Sequence, residues 1–252
     1  MSKAPYARNS ATSKAVLTVS WFSAGVSSAV ATALDIDRID RILYIHIEDQ
    51  HEDTLRFVHD CEAWFGIPTE TIQSPLKSVE NACRMAAFVN SGRLGAACTE
   101  RLKRRLRKQW ESEQTKHLRY VWGFDCHEVE RADRITHSMP NQDHLFPLIE
   151  QKINKAQAHA ILKANSIRRP AMYDLGYQNN NCIGCVKGGM GYWNKIRVDF
   201  PAVFAARAKM ERDIGGTCIN GIYLDGLDPE RGRNEPPICD ECGIMCELMR
   251  IP

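Results

Sequence analysis

Two cysteines sit in a turn of small and turn-forming residues, Asn179-Asn180-Asn181-Cys182-Ile183-Gly184-Cys185-Val186-Lys187-Gly188-Gly189. Asn and Gly tolerate left-handed backbone, so a tight loop here can bend both sulfurs toward one point. That setting suits a metal or iron–sulfur centre better than a hydrophobic core. A second cluster follows near the end, Cys239-Asp240-Glu241-Cys242-Gly243-Ile244-Met245-Cys246. On spacing alone, Cys182/Cys185 with Cys239/Cys242 reads as a zinc-ribbon-like site, and a four-thiolate set suits either tetrahedral zinc or a 4Fe–4S cluster. The remaining thiols read differently. Cys61 falls on the apolar face of its helix, and Cys83, Cys126 and Cys218 have no partner at a suggestive spacing, so all four are expected as small buried hydrophobes.

A different chemistry is suggested at the front. Ser23-Ala24-Gly25-Val26-Ser27-Ser28 lies where a strand meets a helix, the edge at which open α/β sheets bind ligands. Small residues let backbone approach a phosphate, the helix start supplies N–H groups, and hydroxyls add donors. An ordinary capped helix start is the plainer alternative, since Ser is a common N-cap. Arg101, Lys103, Arg104, Arg105, Arg107 and Lys108 crowd one short helix. They form either a solvated charged face or, through Lys103, a contact to an anionic substrate or nucleic acid. Lys187-Gly188-Gly189 can present a cation and backbone N–H groups to a sulfate. Arg131 is read as pairing with Glu128 or contacting phosphate. Tyr192 and Trp193 read as packing residues that also shield the thiol turn from water.

The positioning elements follow from the hydrophobic pattern. Strands are expected at 15–22, 39–47, 69–73 and 118–124, and helices at 29–34, 52–65, 79–89, 100–110 and 127–135. Pro147 marks a loop or strand end, Asn154 caps a helix through Leu162, and Gly191 begins another helix. Alternating strands and helices predict an α/β fold with a doubly wound, mostly parallel, Rossmann-like sheet. With 252 residues, one α/β domain with a small appendage is the default. The expected division is a disordered segment 1–14, a nucleotide-binding domain 15–213 that includes the Cys-x-x-Cys loop, and a Cys-rich tail 214–252 packing on the active site. A formal net charge of +2 with 25% charged residues gives no global pull toward nucleic acid or membrane. The polar segment Met1 to Lys14 argues against a signal peptide, and no run approaches the roughly 18 apolar residues of a membrane span. A cytoplasmic protein without membrane contact is therefore expected, where the ten cysteines stay reduced.

Taken together, these segments resemble a family. The strand followed by Ser-x-Gly-x-x-Ser is similar to the PP-loop of the adenine nucleotide alpha-hydrolase superfamily, with Ala24 in place of a second Gly and Ser27 in place of Asp. His46-Ile47-Glu48 stands where that superfamily has its acidic, adenosine-proximal triplet. Gly95-Ala96-Ala97-Cys98-Thr99-Glu100-Arg101-Leu102-Lys103 resembles the segment of APS reductases in which a cysteine precedes a basic helix. Trp122-Gly123-Phe124-Asp125-Cys126-His127-Glu128-Val129-Glu130-Arg131 resembles a Gly-x-Arg-x-x-Glu-x-x-Arg segment, with Asp125 where Arg is usual. Glu241-Cys242-Gly243-Ile244 is similar to the Glu-Cys-Gly-Leu-His tail of sulfonucleotide reductases, Met245 replacing the His. The resemblance is to PAPS/APS reductase-like proteins, including phage and mobile-element members.

That resemblance implies a substrate and a site. ATP, APS or PAPS would be held by Ser23, Ala24, Gly25, Ser27, Ser28, His46, Glu48, Gly123, Arg131 and Lys187. A 4Fe–4S cluster would be held by Cys98, Cys182, Cys185 and Cys246, leaving Cys242 as nucleophile with Lys103 beside the substrate; the alternative makes Cys242 the ligand and leaves Cys246 free. Zinc is the alternative metal. Three functions follow as alternatives: a sulfonucleotide reductase served by a thioredoxin-type donor, an ATP-dependent sulfurtransferase acting on a nucleic-acid or small acceptor, and a non-catalytic zinc-stapled nucleotide-binding protein. A homodimer is compatible with each.

Overall fold

The computed structural model describes residues 16–91, 95–233 and 238. The expected disordered segment 1–14 and the tail cysteines Cys239, Cys242 and Cys246 lie outside the described residues. In chain order the elements are β1 (Val16–Phe22), α1 (Val26–Leu34), β2 (Arg41–His46), α2 (Asp53–Phe65), β3 (Thr69–Gln73), α3 (Val79–Ala86), β4 (Asn90–Ser91) and β5 (Gly95–Ala96). A π-helical segment, Thr99–Arg104, leads into α4 (Arg105–Ser112). There follow β6 (His117–Val121), α5 (Val129–Ser138), β7 (Asp143–Leu145), α6 (Pro147–Glu150), α7 (Lys155–Ala164), α8 (Ala171–Asp174), α9 (Met190–Asp199) and α10 (Pro201–Ile214).

Five strands pair in the order β3-β2-β1-β6-β7, every pairing parallel, so the fold is the expected Rossmann-like α/β arrangement. Alternation along the strands divides the packing between two faces. Phe22, Ile42, Tyr44 and Val121 point to one face and meet α1, α2 and α7. Leu17, Val19, Leu43, Leu118 and Tyr120 point to the other and meet Trp110 of α4 and Met139 after α5. The small residues of α1 let it lie close to the sheet: Ala29 and Val30 are fully buried, and Thr32 bonds Ser20 of β1 at 2.7 Å. A third apolar cluster joins α3, α9 and α10 beneath the Cys-x-x-Cys turn, with Trp193, Ile196 and Met210 fully buried.

Several boundaries differ from the sequence reading for local reasons. α1 begins at Val26 rather than Ala29, because the Ser28 hydroxyl closes its first turn. A strand, β7, does end just before Pro147, and the proline in addition opens a helix; a proline suits the first helical position, where its missing N–H goes unused. Asn154 does cap α7, its side chain accepting from Gln157 N at 2.9 Å while Gln157 accepts from Asn154 N at 2.8 Å. α2 ends at Gly66 with φ +66°, the left-handed stop that its glycine permits. Among the described residues no helix is long and apolar enough to cross a membrane.

Candidate functional site

The strand order places β1 between β2 and β6: the chain runs outward from β1 through β2 to β3, then crosses back to β6 on the other side of β1, and this reversal opens a crevice at the carboxyl ends of β1 and β6. The Ser23–Ser28 loop lines that crevice edge. Ser28 is its hub: its hydroxyl accepts from Ser23 N and Gly25 N at 3.3 Å each and from Ser23 Oγ at 2.9 Å, and donates to Gly25 O at 2.9 Å. A hydroxyl expected to reach a phosphate is thus engaged in shaping the loop. Val26 N donates to the Tyr173 hydroxyl at 3.3 Å. Ala24 holds φ +55° while fully buried, a conformation that costs an L-residue about 1–2 kcal/mol. Asn180 braces it, donating to Ala24 O at 2.7 Å from a buried position beside Thr54.

The loop after β6 closes on the same helix start. A Cβ on Gly123 would lie 2.4 Å from Ser28 Cα and 2.6 Å from Ser28 N, so only glycine fits. Arg131, on α5, bonds Glu128 at 2.6 Å and lies 4.3 Å over the Phe124 ring, which satisfies its pairing reading. His46 and Glu48 fall at the end of β2 and just past it. His46 Nδ1 is 3.3 Å from the Tyr44 hydroxyl, and exposed Glu48 meets Lys77 at 3.8 Å.

The Cys-x-x-Cys turn is fixed from three sides. Gly184 takes φ +70°, and a Cβ there would sit 2.7 Å from Val203 Cγ1. The Tyr192 hydroxyl enters the turn, accepting from Cys185 N at 2.9 Å and donating to Cys182 O at 3.1 Å. Beneath, Ile183 N donates to Asp49 O at 2.7 Å and Arg207 Nε to Gly184 O at 3.3 Å, while Arg207 forms a short ion pair with Asp49. Neither Asp49 nor Arg207 was legible as a site residue, since they are distant in sequence and belong to no motif. Asn180 was visible only as a turn former.

Cys98, Cys182 and Cys185 all border one cavity of about 1500 Å³, together with Lys103, Lys187 and Arg131. The π-helical segment explains Lys103. Residues five apart face away from each other on an α-helix, but wider π turns bring them onto one side, so Lys103 shares the cavity wall with Cys98. Six cations border the cavity against Asp174 and Asp199, and two of the six are matched by those acids: Arg169 meets Asp174 at 2.6 Å and Lys195 meets Asp199 at 2.8 Å. The wall is therefore net positive and suited to an anion.

The three thiols lie within electrostatic reach of one another. Burial pushes the Cys98 thiol above its ordinary value, with Cys185 adding to the rise and Lys103 and Lys187 opposing it. Burial pushes Cys182 up to about 12, opposed by Lys103 and reinforced by Asp49 and the other two thiols. Among the described residues no three His, Cys, Asp or Glu side chains already form a metal-holding group. Cys61, Cys83 and Cys218 are core residues as expected, whereas Cys126 is half-buried and not part of a core. The predicted nucleophile Cys242 and ligand Cys246 lie outside the described residues.

The structure thus gathers Cys98, Cys182, Cys185, Lys103, Lys187 and Arg131 on one cavity. It leaves Ser23, Ala24, Gly25, Ser27, Ser28, Gly123, His46 and Glu48 at the neighbouring strand ends. Tyr173 and Asn180 connect the two groups: Tyr173 borders the cavity and bonds Val26, and Asn180 precedes the thiol turn and bonds Ala24. No family model matches the chain, and no curated protein matches it.

Proposed function

We propose that the protein is a sulfonucleotide reductase-like enzyme that binds an adenylyl nucleotide, APS or PAPS, beside a sulfur-ligated centre. The observation that carries this reading is the shared cavity: thiols from two separate segments and a net positive wall meet at the carboxyl edge of a parallel sheet, next to a helix start. The donor chemistry fits a soft metal or an iron–sulfur cluster, since Cys98, Cys182 and Cys185 supply sulfurs to one wall with cations nearby. When bound, such a cluster would supply a fixed charge next to the nucleotide's sulfate. Lys103 and Lys187 would neutralise that sulfate, and the α1 start would face the phosphate. In the reaction proposed, the Cys242 thiolate attacks the sulfate sulfur, the sulfur–oxygen bond to phosphate breaks, and AMP or its 3′-phosphate leaves. One thiolate of a thioredoxin-class dithiol then attacks the Cys242 sulfur, displacing sulfite and forming a mixed disulfide, and its second thiol resolves that bond, returning the Cys242 thiol and leaving the donor as a disulfide.

A second reading is favoured by one observation. Small-molecule pockets run to about 300–1,000 Å³, and this cavity, at about 1500 Å³, is larger. Space beyond one nucleotide suits an ATP-dependent sulfurtransferase that adenylates a nucleic-acid or small acceptor. Separate anaerobic incubations with APS, PAPS and ATP divide the two. Sulfite from APS or PAPS, lost in Cys242→Ser, supports the reductase; pyrophosphate from ATP with no sulfite overturns it in favour of sulfur transfer.

A further inference from the structure

We propose that Arg207 and Asp49 are positioning residues for the Cys182–Cys185 turn, a role that no motif in the chain marks. Arg207 lies on α10, is 4% exposed, and pairs with Asp49 from the loop after β2. The two residues hold three adjacent pieces of backbone. Arg207 Nε donates to Gly184 O at 3.3 Å, Asp49 O accepts from Ile183 N at 2.7 Å, and Asp49 Oδ2 accepts from Val79 N at 2.6 Å at the start of α3. Both residues between the two cysteines are therefore bonded to this pair, one by each partner. Gly184 packs directly on it: a Cβ there would meet Arg207 Cγ at 3.4 Å.

A buried guanidinium can satisfy a carboxylate and a carbonyl at once because its donors are fixed in a planar fork. That geometry ties the sulfur-bearing turn to the sheet edge where β2 ends, so neither can shift without the other. Cys98 is different. It stands on the segment before the π-helix and shares the cavity without sharing this anchor. Cys98 and Cys182 pack on the same apolar cluster, but the hydrogen bonds of the Arg207–Asp49 pair go to the Cys182–Cys185 turn. This deepens the proposed sulfur chemistry and rests on it for its importance, but the accessibility of the thiols is read with neither nucleotide nor metal.

The test is the alkylation rate of each cysteine in the full chain, reduced and metal-free, mapped by peptide mass spectrometry in wild type and Arg207→Gln. Loss of the anchor is expected to speed labelling of Cys182 and Cys185 about tenfold while Cys98 and the core Cys61 change less than about twofold. Should Arg207→Gln fail to fold, Asp49→Asn with Arg207→Gln removes both charges, leaves no unpaired buried carboxylate, and carries the same expectation. Labelling that rises in parallel at Cys98 and Cys61 would mean general loosening and overturn the positioning role. So would unchanged labelling at Cys182 and Cys185. Failure of the nucleotide assays with selective labelling intact would instead remove the proposed reaction and leave the anchor standing.

Discussion

Gly184→Ala probes the turn on which the thiol site depends. The position holds φ +70°, and the added Cβ would stand 2.7 Å from Val203 Cγ1 and 3.4 Å from both Arg207 Cγ and Trp193 Cη2. The left-handed conformation costs an alanine about 1–2 kcal/mol. Overpacking against Val203 adds about 1–3 kcal/mol, reduced because Val203 is only half-buried and its methyl can move. Restricting the unfolded chain returns about 0.4–1 kcal/mol. The net expectation is a loss of about 2–3 kcal/mol. Urea denaturation of wild type, Gly184→Ala, Val203→Ala and the double variant separates the terms. Relief of the contact should appear as a coupling of about 1 kcal/mol in the double-mutant cycle, while the backbone term persists. A Gly184→Ala protein within about 0.5 kcal/mol of wild type, or a cycle with no coupling, would refute the left-handed, close-packed turn.

Asn180→Ala leaves the buried Ala24 carbonyl without its 2.7 Å donor and is expected to cost about 1–3 kcal/mol, with faster amide exchange at Gly25 and Val26 than elsewhere in α1. Gly123→Ala drives a Cβ into the Ser28 backbone, which cannot swing aside, and should lower the denaturation midpoint by an amount equivalent to about 2 kcal/mol or more. The Asp53 carboxyl is held at about 2, below its ordinary 3.8, first by its hydrogen bond from Arg56 and further by Ala171 N–H and Arg168, against the opposing effect of burial. Its depressed value means the stabilisation is whole above the ordinary carboxylate range and fades as pH falls toward 2. After allowance for solvent screening it amounts to about 1 kcal/mol, so wild type should lose about that much more stability than Asp53→Asn between about pH 5 and pH 2.

β1, β2, β3 and β6 were legible because their apolar patterning is local, although β6 stops at Val121, short of the expected 124; the short β4, β5 and β7 carry too few residues to show a pattern. β3 falls where the alternation placed it, and β1 and β2 differ from expectation by a residue or two, set by which N–H and C=O groups find ladder partners. The π-helical turn was not legible, since Glu100 to Trp110 reads simply as a basic helix; only the structure brings Lys103 round to the side of Cys98. The thiol turn was recognisable from Cys182, Gly184 and Cys185, whose residue types already speak of a tight bend. Its anchors were not. Asp49 and Arg207 are ordinary charged residues until the fold buries them together, and Tyr192 looked like a packing aromatic although its hydroxyl occupies the centre of the turn. Ser28 carries more than its type alone discloses: a ligand contact and a helix cap are both open to a serine there, and its hydrogen bonds build the loop.

In the function proposed, Cys98, contributed from before α4, shares one sulfur site with Cys182 and Cys185. Anaerobic purification with visible absorption, iron and zinc analysis, applied to wild type and to Cys98→Ser, Cys182→Ser and Cys185→Ser, tests it directly. Wild type is expected to be brown and to contain iron, with colour and iron lost or sharply reduced in all three variants alike. A colourless protein with stoichiometric zinc, or a Cys98→Ser variant that keeps its full complement of iron, would contradict it.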